Sequence, residues 1–324
     1  MRPWMRHQLA AFRMSNGATS SLQTALTPTS DQLAARIEAL EAELADYRAA
    51  AASHRLFIAE YPYDLRSRPF PATQAGAQIG ALCAGADPKA WAWLAAVRSY
   101  APQLSAISLD AGEAEVEPHW DNGMIPALDG ALLYAMVREL RPRTYLEVGS
   151  GNSTKFVRKA IRDGGLETRI VSIDPHPRAG IDALCDEVIR QPFEDVADTT
   201  YADLLQANDM VFIDNSHRSF PNSDVTVFFT ETLAALPAGI IYGIHDIFLP
   251  ADYPDVWMDR FYNEQYLLVA YLLGGAAGDQ VEFAGAHVVS SAAFKMELDH
   301  FLKELGLSRI GANAGTFWMR RPVR

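Results

Sequence analysis

One pattern constrains this chain more than any other. From about residue 125 to the C-terminus, short, largely apolar runs alternate with stretches of helical spacing. The runs 144–148 (TYLEV), 169–174 (RIVSID), 209–214 (DMVFID) and 239–244 (GIIYGI) are the strongest. Strands apolar on both faces belong to a parallel sheet covered by helices on both sides, with right-handed crossovers. The spacing predicts helices over 125–140, 153–162, 178–186, 225–236, 256–273 and 293–305, and further strands over 188–191, 281–284 and 315–320. In a doubly wound α/β sheet, ligands sit beyond the carboxyl ends of the strands. The residues ending each strand are therefore where chemistry is expected.

The first strand runs into Glu147-Val148-Gly149-Ser150-Gly151-Asn152-Ser153-Thr154. Its glycines allow a tight turn and close backbone approach to a ligand. A dinucleotide site would want a third small residue, where this chain has Thr154. A carboxylate at Glu147 would repel a pyrophosphate but suits a ligand carrying an ammonium and a sulfonium. Asp174 ends the second strand, where an acid can accept hydrogen bonds from both hydroxyls of a ribose. Phe193 and Glu194 end the third, offering an apolar face and a polar edge for an adenine. Two polar clusters end the fourth and fifth: Asp214-Asn215-Ser216-His217 and His245-Asp246. Adjacent strands lie about 5 Å apart, so these clusters can converge on one ion.

Taken together, ExGSGxST (147–154), IDP (173–175), IDxSH (213–217) and HDIFLPxDYP (245–254) resemble the class I S-adenosylmethionine-dependent methyltransferases, in a bacterial small-molecule or sugar O-methyltransferase-like branch. The resemblance covers roughly residues 120–324. It implies a Rossmann-like sheet of seven strands, mostly parallel with the last antiparallel, and a cofactor site lined by Glu147, Gly149, Ser150, Gly151, Ser153, Asp174, Phe193, Glu194 and Asp214. It also implies His217 as the base and Asp214 and Asp246 as metal ligands, with His245 a third ligand that departs from the usual oxygen donor. An imidazole there suits Mn²⁺, Fe²⁺ or Zn²⁺ better than Mg²⁺. The reading without metal is a hydrogen-bonded His245–Asp246 pair that shapes the pocket.

The N-terminal part carries no such chemistry. Residues 1–30 are polar and aperiodic and read as disordered; the opening 13 residues lack the apolar core of a signal peptide, and Met14 is a second candidate start. Residues 31–51 read as a helix in which Leu33, Ile37, Leu40, Leu44 and Tyr47 follow coiled-coil spacing, either packed on its own domain or joining two copies. Residues 52–118 form an accessory or lid region, and 119–324 the catalytic domain. A net charge of −12 argues against nucleic acid as partner. No apolar run is long enough to span a bilayer, and two cysteines without a CxxC pair fit a reducing, cytoplasmic setting.

The expectation is thus methyl transfer to a hydroxyl of a small molecule or glycan. Two alternatives stay open: a nicotinamide-dependent oxidoreductase, which Thr154 opposes, and a non-catalytic Rossmann-like binding domain, which leaves His217 and Asp246 without a joint role.

Overall fold

In the computed structural model the described residues are 29–53, 56, 58, 60–112, 116–177, 180–196 and 204–323, so the expectation of disorder over 1–30 lies almost wholly outside them. They fall into two units that divide between Asp64 and Leu65. The first unit holds one long helix, α1 (Ser30–Ala52), whose start is fixed by Thr29: its hydroxyl accepts from Gln32 N while the Gln32 side chain accepts from Thr29 N. No residue of α1 is buried.

The second unit is a seven-stranded sheet between helical layers. Its strands are β1 (Thr144–Val148), β2 (Arg169–Ile173), β3 (Glu187–Ile189), β4 (Met210–Ile213), β5 (Ile241–Ile244), β6 (Gln280–Ala284) and β7 (Phe317–Arg320), in the order β3-β2-β1-β4-β5-β7-β6. Only β7 runs against the rest; it pairs antiparallel with both β5 and β6. Strand periodicity divides the core in two. Tyr145, Ile170, Met210, Phe212 and Trp318 face one layer, while Leu146, Val148, Val171, Ile213 and Phe317 face the other. Helices α2 (Gln74–Gly85) and α3 (Asp87–Ser99) pack into these layers: Ile79 and Cys83 join one core, Leu94 and Val97 the other. Helix α4 (Ala127–Leu140) is buried from Ala127 through Val137, and α5 (Asn152–Gly164) packs against it. Among the described residues no helix is long and apolar enough to cross a membrane.

The chain leaves β1 toward β2 and β3, then returns to the other side of β1 for β4 and β5. This reversal opens a crevice between the carboxyl ends of β1 and β4. Its floor is tight. Gly149 has φ +78°, and a Cβ there would sit 1.8 Å from the Asp214 carbonyl oxygen, so only glycine fits.

Two predicted helices are corrected. The stretch 178–186 holds only a 3-10 turn, Asp182–Leu184, whose Leu184 carbonyl is taken by Arg158 Nε at 2.6 Å; positions 178 and 179 lie outside the described residues. The stretch 256–273 is a 3-10 segment (Asp255–Arg260) and then helix α6 (Glu264–Leu273), interrupted at Phe261, which adopts φ +56°. Asn263 explains the break: its N–H donates to His217 O (3.0 Å) and its side chain accepts from Ser219 N (2.6 Å), pinning the interruption to the loop after β4. The C-terminal helix α7 (Lys295–Glu304) lies within its expected span.

Candidate functional site

An open cleft of about 1030 Å³ runs along the carboxyl edge of β1, β2, β4 and β5. The loop after β1 and the end of β2 form one half. Asp174 accepts from Ser150 N (2.9 Å) and His176 N (2.8 Å), which fixes its carboxylate at the cleft wall and leaves lone pairs for a ligand. The Ser150 and Ser172 hydroxyls pair at 2.7 Å and lock the loop to β2. A Cβ on Gly151 would meet nothing within 4 Å, so this position leaves room for a ligand. Ser153, Phe193 and Glu194 also line the cleft. Burial raises the Glu194 carboxyl above its ordinary value.

Glu147 is placed otherwise than expected. It is fully buried and absent from the cleft lining. It accepts from the Tyr145 hydroxyl (3.0 Å) and from the Thr154 hydroxyl, while Thr154 in turn accepts from Gly151 N (3.1 Å). Burial pushes its carboxyl up to about 7 against the hydrogen bonds from Ser153, Thr154 and Tyr145. Glu147 thus braces the loop from beneath. Thr154, standing where a dinucleotide motif has a small residue, is the other half of that brace.

The loops after β4 and β5 form the second half, crowded with ionisable groups. His217 is buried and held at φ +58° by an Asn215 side chain that accepts from its N–H (3.0 Å). Its Nδ1 lies 2.9 Å from Glu264 Oε2 at the start of α6. Its Nε2 lies 3.3 Å from Asp214 and 3.4 Å from Asp246. Asp246 also has positive φ, +55°. Two non-glycine residues in the left-handed region at one site mark stored backbone strain. Burial lowers the His217 pKa, but hydrogen bonds with Asp214 and Glu264 outweigh it and raise the imidazole to about 10. Burial likewise opposes charge on Asp214, yet the His245 and His217 imidazoles hold its carboxyl well below the usual range.

His245 lies between carboxylates on both sides. Its Nδ1 is 3.1 Å from Asp214, and its Nε2 faces Asp129 at 3.7 Å, an ion-pair distance too long for a hydrogen bond. Burial pulls its pKa down, but Asp214 and Asp246 drive it well above the ordinary value. The three ligand-type groups that converge, with donor atoms within 4.8 Å of one another, are Asp214, Asp246 and His217. His217 completes the group, and the expected third ligand His245 stands beside it, its Nδ1 also 3.6 Å from Asp246. A divalent cation fits this set: two carboxylate oxygens and one imidazole nitrogen, with the far ring nitrogen on a buried carboxylate as metal-bound histidines usually have it.

Sequence reasoning missed Glu264, Asp129 and Asp224. Asp129 accepts from Gly315 N (2.7 Å) and the Thr316 hydroxyl (2.6 Å) and faces His245, so it ties the start of α4 to β7. Asp224 lines the cleft and accepts from Ser216 N (2.7 Å). The sequence does not single them out: Glu264 falls inside the predicted 256–273 helix, Asp129 inside 125–140 and Asp224 just ahead of 225–236, and in the fold each lies in the first turn of a helix. At the outer wall, Arg260 lies 3.9 Å over the Trp257 ring and Arg218 5.0 Å over Tyr262, and all four line the cleft. The aromatic pair therefore both packs and borders the opening.

Residues 146–247, from β1 to just past β5, match the model of a family described as "Methyltransferase domain". No curated protein matches the chain. Among solved structures, the chain is similar to the SAH-bound methyltransferase PaMTH1 of Podospora anserina, at 15% identity over 93% of this chain and 100% of that one, TM-score 0.38. It is also similar to the O-methyltransferase TomG of Streptomyces achromogenes in complex with SAM (17%, 69% and 96%, 0.37) and to an O-methyltransferase of Bacillus cereus in complex with SAH (14%, 74% and 98%, 0.33).

Proposed function

We propose that this chain, an S-adenosylmethionine-dependent methyltransferase of class I, methylates a hydroxyl group of a small molecule or glycan. The observation that carries the hydroxyl reading is the imidazole of His217, with one nitrogen on the buried Glu264 and the other facing the cleft between Asp214 and Asp246. An alkyl hydroxyl is a poor nucleophile and needs its proton removed as the methyl group arrives.

The cofactor-side residues in this proposal are the Gly149–Gly151 loop, Ser153, Phe193, Glu194 and Asp174, the last for the ribose hydroxyls. When bound, S-adenosylmethionine supplies a methyl carbon made electrophilic by its sulfonium. The chain's part is alignment and proton removal. Glu264 orients the His217 ring, and Nε2 accepts the hydroxyl proton. At a pKa of about 10 that nitrogen holds a proton in the resting site. Positive charge brought beside Asp214 and Asp246 weakens their hold on it and frees the base. A divalent cation on Asp214, Asp246 and His217 is the second reading, favoured by their convergence. It would supply Lewis acidity that lowers the hydroxyl pKa. Arg260, Arg218, Trp257 and Tyr262 would then border the acceptor. The free thiols Cys83 and Cys185 support a reducing, cytoplasmic setting, and the exposed stripe of α1 supports a homo-oligomer.

The test is methyl transfer from labelled S-adenosylmethionine to a panel of phenols, sugars, polyols and amines, with and without exhaustive chelation. Activity that survives chelation removes the metal and keeps the base. Transfer to amines alone would overturn the hydroxyl reading.

A further inference from the structure

The apolar side chains of α1 are left in solvent: Leu33 is 49% exposed, Ile37 56%, Leu40 47%, Leu44 46% and Tyr47 55%. They form one stripe, at successive spacings of four and three residues. That spacing assigns Ile37 and Leu44 to a positions and Leu33, Leu40 and Tyr47 to d positions of a heptad. Ile37 at an a position between Leu33 and Leu40 at d positions is the combination that favours two parallel strands, while the second a position carries Leu44.

The flanking charges select the partner and the register. Arg36 and Glu43 then occupy g positions, Glu41 and Arg48 e positions. Among the described residues none of these four makes an ion pair within the chain. In a parallel, in-register pair each g side chain meets the e side chain five residues on in the partner. Arg36 then meets Glu41 of the other copy and Glu43 meets Arg48, and two-fold symmetry doubles both. A slip of one heptad either way sets Arg36 against Arg48 or Glu43 against Glu41. An antiparallel pair keeps only Arg36 with Glu43 and leaves Tyr47 without a facing layer.

We propose that α1 joins two copies of this chain as a short, parallel, in-register coiled coil, its seam formed by Leu33, Ile37, Leu40, Leu44 and Tyr47. This deepens the oligomer reading above and is independent of the methyl-transfer reading. The seam covers barely two heptads and fades into Ala51, so the dimer is expected to dissociate on dilution.

The experiment uses the full chain and sedimentation velocity over a dilution series. Wild type is expected to move from dimer to monomer, while Ile37→Glu with Leu44→Glu stays monomeric at every concentration. The pair Arg36→Glu with Arg48→Glu makes all four flanking positions acidic, and Glu41→Arg with Glu43→Arg makes them all basic. Each variant alone should dimerise at least about tenfold more weakly than wild type, and an equimolar mixture should restore a heterodimer. For register, Leu33→Cys should cross-link to a covalent dimer on oxidation. A wild-type chain that is monomeric throughout, a dimer untouched by the seam substitutions, or charge variants that do not pair with one another would overturn the proposal. Calorimetry with S-adenosylhomocysteine on the same samples keeps the two readings apart, because cofactor binding should be the same in all of them.

Discussion

The two halves of the cleft stand on the same sheet edge but are built by different means. At the β1–β2 half, the carboxylates are held by neutral donors: Asp174 by two backbone N–H groups and Glu147 by the Tyr145 and Thr154 hydroxyls, while the Ser150 and Ser172 hydroxyls pair with each other. At the β4–β5 half, ionisable side chains satisfy one another. His217 and His245 are surrounded by Asp129, Asp214, Asp246 and Glu264, and the imidazole pKa values rise accordingly. The first arrangement suits a ligand that is only held. The second surrounds an imidazole with carboxylates that set when it holds a proton, and the proposed removal of a hydroxyl proton depends on that control.

This contrast can be broken by substitution. His217→Ala is expected to lower kcat by roughly 10²–10⁴-fold, the largest effect of any change considered, with KM for the cofactor nearly unchanged. Steady-state kinetics with the acceptor found in the panel decides it; near-wild-type turnover across pH 6–9 would remove His217 as the base. Glu264→Gln should cost less, roughly 10–100-fold in kcat. It should also move the pH profile to lower pH, because one of the carboxylates that hold the His217 proton is gone. A purely structural Glu264 would lower activity without moving the profile.

The loop after β1 was readable because its partners are close in sequence: Thr154 lies seven residues from Glu147, and Asp174 lies 24 from Ser150. Strand periodicity likewise reports both faces of the sheet locally. Glu147 departs from expectation only in direction: it points beneath the loop rather than into the cleft, and spacing along the chain carries no sign for that. The β4–β5 half is assembled over longer distances. Glu264 reaches His217 across 47 residues and Asp129 reaches Gly315 across 186. Within a stretch of helical spacing, an acid looks the same in sequence whether it faces solvent or the ring of a distant histidine. The break at Phe261 was hidden for a related reason: a phenylalanine carries no signal for the left-handed conformation that its neighbour Asn263 imposes.

A smaller effect should appear in stability. Relative to its ordinary value of 6.5, the His217 pKa is raised in the folded chain to about 10. A raised histidine contributes stability that is fully present below pH 6.5 and is lost as pH rises through about 10. The Tm difference between wild type and His217→Gln should accordingly be largest in mild acid and shrink toward pH 10. Calorimetric melts over that range check this, and a difference that grows with pH would mean the imidazole is neutral in the fold.

The division of labour itself is tested most directly by titrating S-adenosylhomocysteine calorimetrically into wild type, Asp174→Ala and His217→Ala. Wild type should bind. Asp174→Ala should lose roughly 1–3 kcal/mol, the cost of removing a charged hydrogen-bond acceptor, and His217→Ala should bind as wild type does. Equal losses in both variants, or no heat with wild type alongside binding of a nicotinamide dinucleotide, would contradict the account.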